Sequence, residues 1–273
     1  MPVSSKAGSD SGRRILVTIW NENWDEQRYE NVRRIYPEGI HGAIAAFLRG
    51  DSRLSVKTVV PHGGGCGLTE AILEETDVLV WWGHVTHHLI PEVVAARVQE
   101  RVLSGMGFVA LHSAVYSKPF QRLVGAIMNS AYRESGEKER VWMVNPAHEI
   151  ARGLPCCFEL SHSEVYREPT GLPMPDELVS LSWYAGGEAA ISGSCYYRGQ
   201  GRIFAFTPGH EDYPIYHDPN VQAVIRNGVS WACNPCRMAL ESGEVEAFEP
   251  LDPSTLMIVK KHRRPLPRTW EDE

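Results

Sequence analysis

The stretch Gly107-Phe108-Val109-Ala110-Leu111-His112-Ser113 decides the fold of this chain. A glycine opens an apolar run of strand length, and the run ends in the polar pair His112-Ser113. A helix start follows at 118–120. This pattern is typical of a buried parallel strand that delivers polar side chains to a tight turn, and open α/β sheets bind ligands at such strand ends. We therefore predict a functional site where His112 follows its strand.

Strands and helices alternate over the first hundred residues. The segments before and including this strand are predicted strands at 13–20, 55–60, 77–82 and 107–111, separated by predicted helices at 37–49, 68–75 and 91–103. Such alternation indicates βαβ units, right-handed crossovers and a parallel sheet. The later segments are predicted strands at 141–144, 161–168 and 178–184, a hairpin at 193–206 and a final helix at 219–232.

Composition limits the class of protein. The 273 residues carry a formal net charge of −7, which argues against nucleic-acid and anionic-membrane partners. No apolar run approaches the roughly 20 residues that span a bilayer. The first residues lack the apolar region of a signal peptide, and six cysteines do not suggest a disulfide framework, so we expect a cytoplasmic protein. We predict a disordered leader at 1–12, one α/β domain at 13–233, and a tail or arm at 234–273.

Polar side chains follow four of the predicted strands. They are Asn21-Glu22 after the first, Gly83-His84 after the third, His112-Ser113 after the fourth, and Gly209-His210-Glu211 after the last. The carboxyl ends of parallel strands share one edge of the sheet, so these groups are predicted to converge. Neutral imidazole ligates metals and accepts protons near pH 7, and a neighbouring carboxylate fixes its tautomer. The three histidines therefore mark a candidate site.

Familiar catalytic and cofactor motifs do not account for these residues. Ser113 lies where a nucleophile elbow places its serine, but the glycines of G-x-S-x-G are missing. The chain has no H-E-x-x-H motif, and the pair His84 and His87 has a spacing that arises easily by chance. The glycines at 63–65 lack the register of a nucleotide-binding loop, so no nucleotide cofactor is expected.

Several linked motifs resemble the trehalose-utilisation (ThuA-like) family. They are VTIWNE at 17–22, YPEGIH at 36–41, DVLVWWGH-x-x-H at 77–87, LHS-x-x-x-SK-x-F at 111–120, E-x-Y at 164–166 and PGHE-x-YP-x-YH at 208–217. The resemblance runs from about Ile15 to Ala232. It implies the α/β, flavodoxin-like three-layer sandwich of the class I glutamine-amidotransferase-like superfamily, with a mostly parallel central sheet, here with a C-terminal β-hairpin and an extended tail. Amidotransferases place a cysteine where this chain has His112-Ser113, so acyl transfer from glutamine is not expected.

The resemblance implies a role in sugar catabolism, and the site residues are assigned on that basis. The expected catalytic residues are His112, Glu164, His210 and Glu211, acting on a keto-glycoside or keto-sugar by metal-assisted acid–base chemistry of the isomerase or epimerase type. Zinc or manganese is the expected metal, and its candidate ligands are His84, His87, His112 and His210. The candidate substrate-binding residues are Asn21, Glu22, Trp82, Ser113, Lys118, Arg133, Tyr166, Tyr213 and His217.

Two other functions stay open at this point. One is a metal-dependent hydrolase that uses the same ligands, and the other is a non-catalytic sugar-binding module. Several titratable groups at strand ends favour an enzyme, since a binder needs only amides and aromatic rings. The expected partners are a small-molecule sugar and further copies of the chain in a homo-oligomer, without nucleic acid or membrane.

Overall fold

A nine-stranded sheet organises the chain in the computed structural model, which describes residues 13–63, 65–234, 247, 249, 250 and 252. The strands are β1 (Ile15–Asn21), β2 (Leu54–Val59), β3 (Val78–Trp82), β4 (Gly107–Leu111), β5 (Ala131–Met143), β6 (Cys157–Arg167), β7 (Glu177–Tyr184), β8 (Ala189–Arg198) and β9 (Gly201–Phe206). Their order across the sheet is β2-β1-β3-β4-β9-β8-β7-β5-β6. The predicted leader and nearly all of the predicted tail lie outside the described residues.

The sheet is mixed, which corrects the expectation of a mostly parallel one. The pairings among β2, β1, β3, β4 and β9 are parallel, whereas those that join β9, β8, β7, β5 and β6 are antiparallel. The predicted hairpin, β8–β9, is part of this sheet and not an appendage. Its second strand is buried along most of its length and pairs with β4, so β9 completes the parallel half.

Helices cover both faces of the parallel half. They are α1 (Asp25–Arg28), α2 (Glu30–Ile35), α3 (Gly39–Arg49), α4 (Glu70–Glu75), α5 (Glu92–Leu103), α6 (Lys118–Val124) and α7 (Pro219–Ala232). Buried side chains of α2, α3 and α7 belong to one hydrophobic cluster, and those of α4, α5 and α6 belong to another. The three layers therefore form an α/β fold, as the sequence predicts.

Alternating side chains of the central strands feed the two cores. In β3, Val80 and Trp82 pack on the side of α3 and α7, while Leu79 and Trp81 pack on the side of α5. All five residues of β3 and of β4 are buried. A strand covered on both faces reads as a continuous apolar run, which is why both strands are recognisable from the sequence.

Two predicted boundaries differ from the structure for clear physical reasons. The helix expected from residue 37 begins at Gly39, whose φ of +73° is left-handed and cannot continue a helix from before it. The strand expected at 141–144 is the end of β5, which begins ten residues earlier at Ala131. The first half of β5 is mostly exposed, so it carries no apolar alternation that would mark it.

No helix within the described part of the chain is long and apolar enough to cross a membrane. This agrees with the absence of a long apolar run in the sequence.

Candidate functional site

The polar residues at the strand ends meet over β3, β4 and β9. His84 follows β3, His112 follows β4, and His210-Glu211 follows β9. The ring centroids of the three histidines lie 5.1–5.5 Å apart. Glu164 of β6 reaches the same place, and its Oε2 lies 3.4 Å from Nε2 of His112. We call these five residues, His84, His112, Glu164, His210 and Glu211, the strand-end cluster.

His112 sits in a constrained turn with one ring nitrogen already engaged. Its backbone φ of +54° is in the left-handed region, which non-glycine residues seldom occupy. Its Nδ1 lies 3.2 Å from the carbonyl oxygen of Thr207, and a carbonyl only accepts hydrogen bonds. In the neutral ring the proton is therefore on Nδ1, and Nε2 presents a lone pair to Glu164. Burial, followed by the charges of His84 and His210, holds the pKa of His112 well below its usual range.

His210 has the opposite tautomer. The backbone N–H of Asp212 donates to its Nδ1 over 3.2 Å, so the neutral ring carries its proton on Nε2. That Nε2 is buried and has no hydrogen-bond partner. His112 thus offers an acceptor to the cluster, and His210 offers a donor.

His84 is held between two carboxylates. Its Nδ1 lies 2.9 Å from Oε1 of Glu211 and 3.9 Å from Oδ2 of Asp25. Burial alone would lower the pKa of His84, but these two carboxylates raise it to about 11. Burial alone would raise the pKa of Glu211. The hydrogen bond to His84 and the charges of His210 and His84 outweigh burial, so the pKa of Glu211 is lowered. In the absence of another cation, the pair is an imidazolium and a carboxylate.

Glu164 is the carboxyl group that burial perturbs most clearly in the cluster. Burial raises its pKa to about 7, even though His84 acts in the opposite direction. Next to it, the hydroxyl of Tyr166 is 2.6 Å from Oγ of Ser113, and the Tyr166 ring stacks on His112 with centroids 5.8 Å apart. The Tyr166–Ser113 contact joins β6 to the turn after β4 and so fixes the position of Glu164 relative to His112.

Glu22 holds the loop that carries His84. Its Oε1 accepts from the backbone N–H of Val85, and its Oε2 accepts from the N–H and the hydroxyl of Thr86 at 3.0 and 2.8 Å. Both carboxylate oxygens are therefore engaged. The structure places this predicted substrate-binding residue beneath the loop, where it positions His84.

Three more of the predicted substrate-binding residues border the cluster or its strand ends. The indole N–H of Trp82 donates to the carbonyl oxygen of Gly209 over 3.3 Å, and its ring lies 6.3 Å from that of His112. Tyr213 packs on His210 with ring centroids 5.4 Å apart. Asn21 is buried at the end of β1, where its amide donates to Glu26 over 2.6 Å. Trp82 and Asn21 thus support the backbone around the site.

The structure does not bring Lys118, Arg133 or His217 into the cluster. Lys118 donates to the carbonyl of Ile90, and His217 donates from Nε2 to the carbonyl of Ile35 at the surface. Arg133 forms ion pairs with Glu137 and Glu188. Each of these side chains is already engaged by a structural contact.

His87 lies beside the cluster but faces a different group. Its ring stacks on Tyr116 with centroids 6.4 Å apart, and its buried Nε2 has no hydrogen-bond partner. Burial, helped by the charges of His84 and His88, lowers its pKa to about 4. It is not among the ligand atoms that come within 4.8 Å of one another in the described residues.

Two acidic residues near the site were not selected from the sequence. Asp25 is buried in α1, and its Oδ2 has no hydrogen-bond partner. In the sequence, the run of polar residues after β1 was the feature that could have identified Asp25. Glu139 of β5 is fully buried and accepts from the hydroxyls of Ser163, at 2.5 Å, and of Ser182. Ser163 directly precedes Glu164. Nothing in the local sequence marks Glu139, because it lies in a run of charged residues that is typical of a solvent-exposed strand face.

Glu139→Gln is expected to remove the loss of stability that ionisation of this buried carboxyl group should cause between pH 5 and pH 8. Burial raises the pKa of Glu139 to about 7, so its contribution is present below the unfolded pKa of about 4.3 and is lost as the pH rises through 7. The free energy of unfolding of the variant should gain about 2 to 3 kcal/mol over wild type between pH 5 and pH 8. Urea unfolding at several pH values measures this difference.

Glu159→Gln is the control, because Glu159 is an exposed carboxylate of β6. It should leave the pH dependence over this interval unchanged. A constant difference between Glu139→Gln and wild type at all pH values would contradict the assignment.

A second group of metal-ligating side chains is satisfied without an ion. His148, Glu177 and Cys195 offer ligand atoms within 4.8 Å of one another. However, the N–H of Ile150 donates to Nδ1 of His148, so the neutral ring carries its proton on Nε2, which donates to Glu177 over 2.7 Å. Because Nε2 of His148 has no free lone pair, we interpret this group as a structural hydrogen-bond network.

The strand-end cluster, in contrast, fits a cation. His84, His112 and Glu211 offer ligand atoms within 4.8 Å of one another. Buried acceptor atoms without a hydrogen-bond donor surround them, namely Oδ2 of Asp25, Nε2 of His112, Oε2 of Glu164 and Oε2 of Glu211. Buried polar groups are almost always satisfied, so several unpaired acceptors in one place indicate a site for a proton donor or a metal ion.

Comparisons with known proteins agree with the fold and with the motifs. The sequence profile of the family described as trehalose utilisation (ThuA) matches residues 16–232. A ThuA-like protein of Parabacteroides merdae shares 16% identity at a TM-score of 0.61, over 84% of this chain and 93% of that one. A ThuA-like protein of Bacteroides uniformis shares 16% identity at a TM-score of 0.59, and the match covers 83% of this chain and 94% of that one. A cytoplasmic protein of Salmonella typhimurium shares 13% identity at a TM-score of 0.55, and the match covers 80% of this chain and 98% of that one. A search of curated protein sequences finds no match.

Proposed function

Because the chain belongs to the trehalose-utilisation (ThuA) family, we propose that its strand-end cluster is a cation-assisted acid–base site acting on a keto-glycoside or keto-sugar. The family description supports a role in sugar metabolism. The proposed reaction is a proton transfer beside a carbonyl group, of the isomerase or epimerase type.

The observation that carries this proposal is the contact between His112 and Glu164. Nε2 of His112 and Oε2 of Glu164 are 3.4 Å apart, both are buried, and neither has a hydrogen-bond donor. Since Nδ1 of His112 is engaged by Thr207, its Nε2 is an acceptor. Two acceptors that face each other need a proton or a cation between or beside them, and an apolar core would not tolerate the pair.

The donor set suggests which cation would fit. His84, His112 and Glu211 supply two imidazole nitrogens and a carboxylate oxygen, a combination that suits zinc or manganese. When bound, such an ion polarises a substrate carbonyl as a Lewis acid. We leave His210 out of the ligand set because its free nitrogen carries the proton, and His87 because it is not in the group of ligand atoms that lie within 4.8 Å of one another.

The remaining groups of the cluster supply the proton transfers. The Glu164 carboxylate takes the proton from the carbon beside the carbonyl, and the carbonyl oxygen takes a proton from Nε2 of His210 as the carbon–carbon double bond forms. Glu164 then returns its proton to the neighbouring carbon, and His210 regains one from the other hydroxyl. The result is an isomer with the same atoms and no net change in oxidation state.

Metal analysis of the purified protein tests the proposed ligand set. Wild type purified without chelator should contain about one zinc or manganese ion per chain. His84→Ala and His112→Asn should lose it, whereas His210→Ala should keep it, because His210 is assigned as a donor and not as a ligand. His217→Ala is the control, since its ring is bonded to Ile35 at the surface.

Two results would contradict the ligand set. One is a wild-type protein that stays free of metal even after incubation with zinc or manganese. The other is equal metal content in wild type, His84→Ala and His112→Asn.

A further inference from the structure

Glu139 of β5 is a buried carboxyl group that the proposed proton transfers do not use. Its Oε2 accepts from the hydroxyl of Ser163 over 2.5 Å, and its Oε1 accepts from the hydroxyl of Ser182. No cation is among these partners, and a buried charge without a paired cation is costly. Burial accordingly raises the pKa of Glu139 to about 7. The fold would therefore be more stable above neutral pH with an uncharged residue here, so stability alone does not account for this carboxyl group.

The strand that Glu139 contacts is irregular at the point where it carries Glu164. The register between β5 and β6 shifts on both sides of Ser163, between residues 133 and 137 and between residues 137 and 139 of β5. Such irregularities interrupt the backbone ladder and change the direction of side chains. Because the ladder does not fix this segment of β6, the contacts of its side chains must hold it.

Ser163 connects Glu139 to Glu164 through a single step of backbone. The Ser163 hydroxyl that donates to Glu139 also lies 3.3 Å from the carbonyl oxygen of Glu164. At the other end of this residue, Oε2 of Glu164 lies 3.4 Å from Nε2 of His112. A misplacement of about 1 Å at a reacting group can lower a rate by about 100-fold. The position of Ser163 therefore matters for the contact between Glu164 and His112.

We propose that Glu139 is a positioning residue, which holds Ser163 and thereby keeps the carboxyl group of Glu164 against Nε2 of His112. Ser182 ties Glu139 to β7 and gives it a fixed base. The inference rests on the proposed function for the role of Glu164, but not for the position of its carboxyl group. Glu139 itself neither touches the substrate nor takes part in the proton transfers.

The ¹⁵N resonance of His112 Nε2 tests this position without a substrate. In chelator-treated protein labelled with ¹⁵N-histidine, it is the resonance that His112→Asn removes, and Glu164→Ala shows where it lies without a facing carboxyl group. Ser163→Ala and Glu139→Leu should each shift it toward its position in Glu164→Ala. Glu139→Gln should leave it near the wild-type position, because the amide can accept from one serine and donate to the other.

Ser182→Ala is the matched control, because Ser182 is also a buried serine that donates to Glu139 but lies on β7. It should leave the His112 resonance in place. A wild-type resonance in both Ser163→Ala and Glu139→Leu, or an equal shift in Ser182→Ala, would overturn the proposal. An unchanged resonance in Glu164→Ala would overturn it too, since Glu164 would then not face His112.

Deuterium exchange into 3-keto-glucose separates this inference from the proposed function. Ser163→Ala should lower kcat for the exchange by about 10- to 100-fold with KM unchanged, whereas Ser182→Ala should exchange at the wild-type rate. An unchanged kcat in Ser163→Ala would contradict the positioning role. A wild-type protein that exchanges no deuterium would contradict the proposed function, and the nitrogen resonance would still decide whether Glu139 positions Glu164.

Discussion

His112→Asn is expected to reduce the rate of solvent-deuterium exchange into 3-keto-glucose by about 100- to 10,000-fold. The substitution deletes Nε2, the atom that faces Glu164 over 3.4 Å and that belongs to the proposed ligand set. Nuclear magnetic resonance of the sugar in D₂O measures the exchange. A loss of this size is typical of a missing acid–base or ligand contribution.

Asparagine is chosen because it isolates the effect from folding. It tolerates the φ of +54° better than alanine does, and its amide can donate to the Thr207 carbonyl in place of Nδ1. His217→Asn serves as the control, since that ring is bonded to Ile35 at the surface. If folded His112→Asn exchanged deuterium at the wild-type rate, Nε2 of His112 would have no part in the reaction.

Gly209→Ala is expected to lower the free energy of unfolding by about 2 to 4 kcal/mol. A Cβ at this position would lie 2.2 Å from the Tyr216 hydroxyl oxygen and 3.0 Å from Cβ of His112. The backbone φ of +157° is also one that side chains rarely adopt. The turn must therefore move, and His210 moves with it. Urea unfolding measures the loss.

Two further variants separate crowding from backbone strain. Gly153→Ala has a φ of +75° but nothing within 4 Å of the added Cβ, so it should cost only about 1 to 2 kcal/mol. Tyr216→Phe removes the hydroxyl that the Gly209→Ala methyl meets. The double variant should recover part of the stability that Gly209→Ala loses. Equal losses in Gly209→Ala and Gly153→Ala, with no recovery, would contradict the crowding argument.

The central strands and their end points were predictable because a strand that is buried on both faces has a continuous apolar sequence. β3 and β4 read as continuous apolar runs, and a polar residue stands at the point where each run ends. The rules of parallel sheets then bring His84, His112 and His210 to one edge. This part of the candidate site follows from local sequence and topology alone.

The direction of long side chains was not predictable in the same way. Arg133 lies in β5, where the register shifts between residues 133 and 139, and its guanidinium is paired with Glu137 and Glu188. Lys118 begins α6 and turns to the Ile90 carbonyl. A bulge or a helix start sets such directions, and neither leaves a periodic signal in the sequence.

Which histidine accepts a hydrogen bond and which donates one depends on contacts between segments that are distant in the sequence. His112 is an acceptor because Thr207, 95 residues away, supplies a carbonyl to its Nδ1. His210 is a donor because the turn places the N–H of Asp212 on its Nδ1. Sequence identifies both residues as histidines near strand ends, but their tautomers follow only from the folded backbone.

Incubation of the wild-type protein, loaded with zinc or manganese, with 3-keto-glucose in D₂O tests the central claim most directly. Proton transfer by Glu164 predicts that solvent deuterium appears at a carbon beside the carbonyl, followed by an isomeric sugar. With 3-keto-trehalose, release of free sugar without deuterium incorporation would instead indicate hydrolysis. If neither sugar changed, the cluster would be a binding site, and the proposed acid–base chemistry would be wrong.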